Sequence, residues 1–250
     1  TMFMEAGAKY RQRAIIAANR TGKTLMGAYE MTLHLTGDYP HWWKGRRFPL
    51  PIEAWCASVN NQTTKDVMQK ELVGKINDFG SGMIPKDLLR PNPTKKPGVA
   101  DALETVYVKH VSGGWSEITF KSYEQGRDAF QGTKKQVIWL DEEPKDPSIY
   151  TECLTRTMDK FEPGMIYCTF TPLFGLSDVV LTFLDGGKFP QGGVSPSNPH
   201  KYVTNVTWDD VPHLSEEQKE EILASYSKHE RAARSQGIPS LGSGAIYPFL

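Results

Sequence analysis

Short apolar segments alternate with longer amphipathic segments along this sequence. Residues 14–18, 52–59, 136–140 and 165–170 are rich in apolar side chains, and charged residues are spread through the stretches between them. Strands that lie between two layers of helices have this composition, because both of their faces are buried. The alternation therefore predicts an α/β fold with a mostly parallel sheet flanked by helices.

Local signals define the remaining elements. Ser112-Gly113-Gly114 between two short runs predicts a hairpin of strands 105–111 and 115–121. Residues 85–98 and 186–199 are rich in Gly, Pro and polar residues and are predicted to be loops. We also predict a strand over residues 202–207 and helices over 22–35, 63–79, 147–159, 174–184 and 215–235, the last of which begins with a capping box at Ser215.

Length, charge and cysteine content limit the possible functions. The 250 residues suffice for one large domain with a small appendage. The formal net charge is zero, which excludes a uniformly basic nucleic-acid binder but allows a local patch that contacts DNA. The three cysteines are far apart in sequence, so we predict buried free thiols, as in a reducing cytoplasm. No apolar run reaches the roughly 18 residues of a membrane span, and we expect no membrane association.

A phosphate-binding loop follows the first predicted strand. Residues 17–24 read Ala-Ala-Asn-Arg-Thr-Gly-Lys-Thr, which matches the P-loop signature except that Ala17 replaces its first glycine. The strand before the loop and the helix after it are the expected context, and a helix N-terminus favours anions. The pattern predicts a P-loop NTPase fold of the RecA-like type that binds ATP and Mg²⁺ through Asn19, Arg20, Thr21, Gly22, Lys23 and Thr24.

Individual residues of this loop have distinct predicted roles. Gly22 lets backbone amides approach the phosphates, Lys23 neutralises their charge, and the Thr24 hydroxyl is a Mg²⁺ ligand. An arginine within the loop suits the γ-phosphate, so Arg20 is a candidate catalytic residue. A surface arginine at a turn is an equally good interpretation of Arg20.

Three acidic residues end the apolar strand at 136–140. In P-loop ATPases the first acid after such a strand holds Mg²⁺, which assigns that role to Asp141. The next acid, Glu142, is predicted to polarise the attacking water. Glu143 is an alternative catalytic acid. The plain alternative is a helix N-terminus, where acidic residues are also favourable.

These segments resemble those of one known family, the large terminase subunits of tailed bacteriophages. The resemblance spans residues 3–250. The matching segments are Tyr10-Arg11-Gln12-Arg13, Asn19-Arg20-Thr21-Gly22-Lys23-Thr24, Trp139-Leu140-Asp141-Glu142-Glu143-Pro144 and Thr169-Phe170-Thr171-Pro172.

Members of that family have an N-terminal ATPase domain and a C-terminal nuclease domain of the RNase H type. The resemblance implies an ATPase motor domain over residues 1–236, in which residues 200–236 form a strand and a helical appendage. Residues 237–239 and 242–244 have the composition of a linker, and residues 245–250 are predicted to begin a new strand. The resemblance implies that residues 237–250 are the linker and the start of the nuclease domain. The nuclease acids are expected beyond Leu250, so we predict no nuclease activity for this chain.

The resemblance also implies a function. Mg²⁺-dependent ATP hydrolysis would drive translocation of double-stranded viral DNA into a procapsid in the host cytoplasm. The implied partners are double-stranded DNA, a portal protein, a small terminase subunit and further copies of the chain in a ring, a pentamer, with a monomer as the isolated form.

Two other functions remain as alternatives, a helicase-like DNA translocase and a nucleotide-binding module without turnover. The sequence Asp141-Glu142-Glu143-Pro144 differs from the D-E-A-D or D-E-A-H of helicases. Glu142 argues against a module without turnover, since a switch needs no second acid.

Further site residues follow from the resemblance alone. Thr171, before Pro172, maps to a motif that couples hydrolysis to motion, although a β-branched residue filling a strand is the plain interpretation. Gln12 is the candidate adenine contact. A ring motor also needs an arginine from a neighbouring subunit, and Arg127 is the first candidate. Arg156 and Arg46-Arg47 are the rivals, and a solvated surface arginine is the plain interpretation of each.

Overall fold

An eight-stranded sheet in the order β3-β4-β5-β2-β6-β7-β1-β8 forms the centre of the molecule. The computed structural model describes residues 2–240. The strands are β1 Gln12–Ala17, β2 Glu53–Ser58, β3 Thr94–Lys95, β4 Leu103–Lys109, β5 Trp115–Ser122, β6 Val137–Asp141, β7 Met165–Phe170 and β8 Lys201–Val206. All neighbours from β5 to β8 in this order pair in parallel, whereas β3-β4 and β4-β5 are antiparallel. The predicted mostly parallel sheet and the predicted hairpin are confirmed.

Helices cover both faces of this sheet. They are α1 Met2–Ala6, α2 Lys23–Thr36, α3 Asn61–Thr63, α4 Lys70–Val73, α5 Pro147–Arg156, α6 Asp178–Leu181, α7 Glu216–Ser225 and α8 Arg231–Gln236. A π-helix, Thr64–Gln69, joins α3 to α4. One apolar cluster contains side chains of α2 and α4, and a second contains side chains of α5 and α6. The predicted arrangement of helices on both sides of the sheet is therefore confirmed.

Four predicted helices are shorter or broken in the structure, and the one predicted over 147–159 ends at Arg156. The segment 63–79 stops being helical at Gly74, whose φ of 84° and ψ of −173° leave the helical region. In 174–184 only α6 forms, because Gly175 has a positive φ and Ser177 caps the helix at Asp178. The predicted helix 215–235 is two helices, since Tyr226 has an extended ψ of 143° after α7.

Other predictions fare differently. The predicted loop 85–98 contains the short strand β3, which pairs with β4. Cys56, Cys153 and Cys168 are buried free thiols, as predicted. The linker at 242–244 and the strand predicted over residues 245–250 lie outside the described residues.

The order of strands determines what can meet at the edge of the sheet. β7 lies between β1, which precedes the phosphate loop, and β6, which ends in acidic residues. These three strands are parallel, so their carboxyl ends share one edge of the sheet, where ligands bind in open α/β sheets.

Candidate nucleotide site

The loop between β1 and α2 has the geometry of an anion site. Gly22 is the N-cap of α2 with φ 78°, and no side chain accepts a hydrogen bond from the first amides of the helix. These amides and the positive end of α2 therefore face the loop. Ala17 is the last residue of β1, and its φ is not positive, so this first signature position needs no glycine here.

Asp141 and Thr24 meet at the end of β6. The Thr24 hydroxyl lies 3.0 Å from Oδ1 and 3.2 Å from Oδ2 of the Asp141 carboxylate. The pKa of Asp141 is raised to about 7, mainly by burial and next by the nearby Glu142 carboxylate, and the hydrogen bond from the Thr169 hydroxyl partly offsets this rise. A buried carboxylate of this kind is stabilised as an anion by a cation beside it.

Glu142 occupies a turn that most residues avoid. Its φ is 61°, in the left-handed region. Its amide donates to the Thr169 carbonyl oxygen at 2.9 Å, and its carboxylate Oε1 lies 3.6 Å from Nζ of Lys23. The turn therefore points the second acid of the strand end at the lysine of the phosphate loop.

Tyr123 supports this turn from the face of the sheet that α5 and α6 cover. Its buried hydroxyl lies 2.9 Å from the carbonyl oxygen of Glu142, 3.0 Å from that of Asp141 and 3.2 Å from that of Ala57. The hydroxyl therefore lies within hydrogen-bond distance of three carbonyl oxygens around the acidic turn. The sequence analysis missed Tyr123, because only the fold lets the residue after β5 reach across the end of β2 to the end of β6.

Glu143 points away from the phosphate loop. Its carboxylate accepts a hydrogen bond from the Ser177 hydroxyl, which also caps α6. The pKa of Glu143 is raised to about 7, mainly by burial, against the opposing effect of the Ser177 hydrogen bond and with a smaller rise from the Glu142 carboxylate. Of the two candidate catalytic acids, Glu142 is the one that lies beside Lys23.

The tip of β7 connects the phosphate loop to the acidic strand. Thr171 donates through its hydroxyl to Oδ1 of Asn19 at 2.9 Å. Thr169 donates to Oδ1 of Asp141 at 2.6 Å. Both hydroxyls are buried and face the site, so Thr171 lies where the resemblance implies a coupling residue.

The segment after β8 binds the phosphate loop from outside. The Trp208 indole nitrogen donates to the backbone carbonyl oxygen of Asn19 at 2.8 Å. The backbone N–H of Asn19 donates in turn to the backbone carbonyl oxygen of Arg234 at 2.8 Å. Nε2 of His213 lies 2.8 Å from the Arg20 carbonyl oxygen. The sequence analysis described this segment as an appendage and did not foresee these contacts.

Arg20 is an exposed residue of the phosphate loop with a left-handed φ of 62°. This backbone conformation is uncommon for a residue with a side chain and is held here by the bond from His213 to its carbonyl oxygen. The structure does not place the Arg20 guanidinium against another residue of the site.

The structure does not bring Gln12, the predicted adenine contact, next to the phosphate loop. It is the first residue of β1, and the phosphate loop follows Ala17, the last one. Five residues of strand separate the two by roughly 16 Å. The Gln12 side chain instead accepts a hydrogen bond from the Tyr150 hydroxyl at 3.1 Å.

The other candidate arginines lie away from the loop. Nε of Arg127 is 3.1 Å from Oε2 of Glu152 on α5, and the side chain remains 56% exposed. Arg156 shares Glu152, at 2.9 Å from Oε1, and is only 23% exposed. Arg46 and Arg47 lie over the rings of Phe48 and Tyr39. None of these side chains contacts the phosphate loop of its own chain.

The oxygen atoms at the end of β6 fit Mg²⁺. Mg²⁺ takes hard oxygen ligands and usually only one or two from the protein, the rest being water and phosphate oxygens. The hydroxyl of Thr24 and the carboxylate of Asp141, already in contact, provide such a pair. Within residues 2–240 no group of three or more His, Cys, Asp or Glu could hold a metal ion, which excludes a dedicated cage there.

Among the described residues, no helix combines the length and apolar character needed to cross a membrane.

Comparisons with known proteins identify the family of this chain. The family model for the terminase large subunit, T4likevirus-type, N-terminal, matches residues 14–250. The terminase large subunit of Salmonella phage P22 is 40% identical over 265 residues, which cover 98% of this chain and 50% of that protein. The terminase large subunit of Enterobacteria phage LP7 is 49% identical over 100 residues, 40% of this chain and 18% of that protein. The chain thus spans about half the length of the P22 protein.

Solved structures share the fold. The large terminase ATPase domain of Thermus phage P74-26 superposes with a TM-score of 0.61 at 15% identity, covering 95% of this chain and 93% of that one. The large terminase of a thermophilic bacteriophage in complex with ADP gives a TM-score of 0.60 at 13% identity, covering 89% and 46%. Because the family model covers nearly the whole chain, the protein belongs to the large terminase subunits, of which it represents the N-terminal part.

Proposed function

We propose that this chain hydrolyses ATP in a Mg²⁺-dependent reaction and that hydrolysis drives double-stranded viral DNA into a procapsid. The observation that carries the proposal is the meeting of two sequence-distant groups at one edge of the sheet. Thr24 contacts Asp141 at 3.0 Å, and Lys23 lies 3.6 Å from Glu142. These four residues supply a counter-charge, two oxygen ligands and a carboxylate base.

Each of these residues has a defined task. Lys23 and the N-terminal amides of α2 bind the β- and γ-phosphates. Mg²⁺, held by Thr24 and Asp141, would offset the charge of the phosphate oxygens. Glu142 takes a proton from the attacking water, since its carboxylate is 35% exposed and reaches into the site.

The contact between Lys23 and Glu142 suits a regulated base. The ammonium of Lys23 lies within ion-pair distance of the Glu142 carboxylate, at 3.6 Å from Oε1. Phosphate groups carry more negative charge and attract the ammonium more strongly. Nucleotide binding therefore frees the Glu142 carboxylate to accept a proton when substrate is present.

The family supports the larger task. Relatives at 40% identity are terminase large subunits, and an ATPase domain and a complex with ADP are described for solved large terminases. By extension we propose double-stranded DNA, a portal protein and a small terminase subunit as partners. The active form would be a homo-oligomeric ring, a pentamer, in the host cytoplasm.

Arg127 is our candidate for the arginine that a neighbouring subunit inserts. Its side chain stays more than half exposed although Glu152 binds it, whereas Arg156 is largely covered and also bonds to the Gly132 carbonyl oxygen. An exposed guanidinium can change partners on assembly. Arg20 is the alternative source of this charge, from within the loop.

Two substitutions at the site test the ATPase proposal. Lys23→Ala should abolish phosphate release and weaken nucleotide binding, because the phosphate counter-charge is lost. Glu142→Gln should bind ATP but hydrolyse it at least roughly 100-fold more slowly, because an amide cannot take the proton. The exposed residues Lys188 and Glu217 offer matched controls, Lys188→Ala and Glu217→Gln, which should retain full turnover.

The same experiment distinguishes the rivals. Normal hydrolysis by Glu142→Gln together with an inactive Glu143→Gln would move the base to Glu143. ATP binding without turnover in the unaltered protein, even with portal and DNA present, would favour a nucleotide-binding module.

A further inference from the structure

A buried tryptophan lies between the phosphate-loop helix and the acidic strand. Trp139 of β6 is fully buried and stacks on Tyr167 of β7, with ring centroids 6.1 Å apart at an angle of 15°. The Tyr167 hydroxyl donates to the Gly27 carbonyl oxygen of α2 at 2.8 Å. The two rings thus occupy the space between α2 and the strands that end in the site.

Gly27 is the residue that lets the indole approach α2. A Cβ at this position would lie 2.5 Å from Cε2 and 2.7 Å from Nε1 of Trp139, which is closer than atoms can pack. The glycine therefore serves close approach within a helix, where alanine would otherwise be favoured.

The indole continues into a directed chain of hydrogen bonds. Nε1 of Trp139 donates to the Thr169 hydroxyl oxygen at 2.7 Å, and that hydroxyl lies 2.6 Å from Oδ1 of Asp141. An indole N–H can only donate, so the Thr169 oxygen accepts it and the single Thr169 proton goes to the carboxylate. The direction of both bonds follows from the chemistry of the groups.

This chain makes the two oxygens of the Asp141 carboxylate unequal. The Thr24 hydroxyl approaches both, at 3.0 and 3.2 Å, and by itself distinguishes them little. The Thr169 proton is committed to Oδ1, which leaves Oδ2 with fewer donors. These hydrogen bonds therefore set the rotation of the Asp141 carboxylate.

We infer that Trp139 and Thr169 are positioning residues that hold Asp141 in the orientation that binds Mg²⁺. Gly27 makes their contact with α2 possible. The inference rests on the proposed function, because it concerns the same metal ligand. Partners that orient a metal ligand typically contribute a factor of roughly 10–100 in metal affinity.

α2 closes this arrangement into a ring. Thr24 and Gly27 are three residues apart and lie on one face of the helix. Thr24 contacts the Asp141 carboxylate directly, whereas Gly27 is linked to it through Trp139 and Thr169. The position of α2 and the orientation of Asp141 are therefore linked through two independent routes.

The test compares variants at Thr169 in a binding assay that needs no turnover. The thermal stabilisation by a non-hydrolysable ATP analogue is measured as a function of Mg²⁺ concentration. Thr169→Val keeps the shape and removes the proton, and we expect the half-maximal Mg²⁺ concentration to rise roughly 10–100-fold. Thr169→Ser restores the proton and should stay within about threefold of the unaltered protein. Thr204→Val in β8 is the matched control, because the Thr204 hydroxyl has no partner among residues 2–240.

Gly27→Ala and Trp139→Phe test the remainder of the chain. Each should raise the half-maximal Mg²⁺ concentration, the first by pushing the indole away and the second by removing its N–H. Combined with Thr169→Val, neither should add its full effect, because all three act through one bond to Asp141.

Three results would overturn the inference. They are an unchanged Mg²⁺ midpoint in Thr169→Val, equal damage in Thr169→Ser and Thr169→Val, and full additivity in both double variants. If the unaltered protein itself shows no Mg²⁺-dependent stabilisation, the proposed function fails, and the inference fails with it. A normal response of the unaltered protein with a normal Thr169→Val would reject the inference alone.

Discussion

Removing the hydroxyl group of Tyr123 tests whether the turn at Glu142 governs turnover. Tyr123→Phe keeps the ring in place and removes the hydroxyl that lies within hydrogen-bond distance of three carbonyl oxygens around the turn. A lost hydrogen bond that leaves buried acceptors unpaired costs about 1–3 kcal/mol. For a domain of this size that lowers the melting temperature by about 3–10 °C.

The effect on catalysis should exceed that on binding. The left-handed φ of Glu142 is itself unfavourable, and the Tyr123 hydroxyl is one of the groups that hold it. If the free energy of the lost hydrogen bond adds to the activation barrier, kcat falls roughly 10–100-fold, since about 1.4 kcal/mol corresponds to a factor of ten in rate. Nucleotide affinity should hardly change, because Tyr123 contacts neither Lys23 nor Thr24.

Tyr150→Phe provides the control. Tyr150 is also buried, and its hydroxyl donates a single hydrogen bond to Gln12, at the opposite end of β1. This variant should lose stability and keep its kcat. Phosphate release at saturating ATP and thermal melting are measured for both variants. Equal kcat values for Tyr123→Phe and Tyr150→Phe would refute the reasoning that the turn controls the base.

Three further predictions follow from the structure. Glu30→Gln should lower the free energy of unfolding, measured by urea titration, by about 3–5 kcal/mol. The fully buried guanidinium of Arg13 lies 2.5 Å from Glu30 and would be left without an anion. A loss below about 1 kcal/mol would contradict this. Gln12→Ala should leave nucleotide affinity unchanged in calorimetry, and a tenfold weakening would restore Gln12 to the adenine site. If a neighbouring subunit supplies Arg127, specific activity should rise with protein concentration, and Arg127→Ala should remove that rise. Mixing the Arg127→Ala and Glu142→Gln proteins should recover activity, and no recovery in rings shown to be mixed would count against Arg127.

Local chemistry explains why the centre of the site could be predicted from the sequence. The roles of Lys23 and Thr24 depend on one turn and the helix that follows, and both lie within the continuous segment 17–36. Asp141 was identifiable because an apolar strand ending in acids needs a cation nearby. The parallel sheet then required these two segments to share an edge, since parallel strands end on the same side.

The errors and omissions arose where the tertiary structure decides. Gln12 was proposed as the adenine contact from the resemblance alone, and the structure places it at the opposite end of β1 from the phosphate loop. Tyr123, Trp208 and His213 carry no motif, and each reaches the site only because distant segments fold against it. The helices predicted across Gly74 and Tyr226 ended early because backbone conformation at single residues outweighed the apolar pattern.

The contacts of the segment after β8 have a mechanical consequence. Gly237 follows α8, and a Cβ there would lie 2.8 Å from Cα of Ala17, so the backbone at this point rests directly on the end of β1. Asn205 ties the two together, with Nδ2 at 3.0 Å from the carbonyl oxygens of both Ile16 and Gln236. A tension exerted on the chain beyond this point is delivered to the strand that carries the phosphate loop. The stiffness of the contact between Gly237 and Ala17 therefore sets how much of a pulling force reaches the phosphate loop.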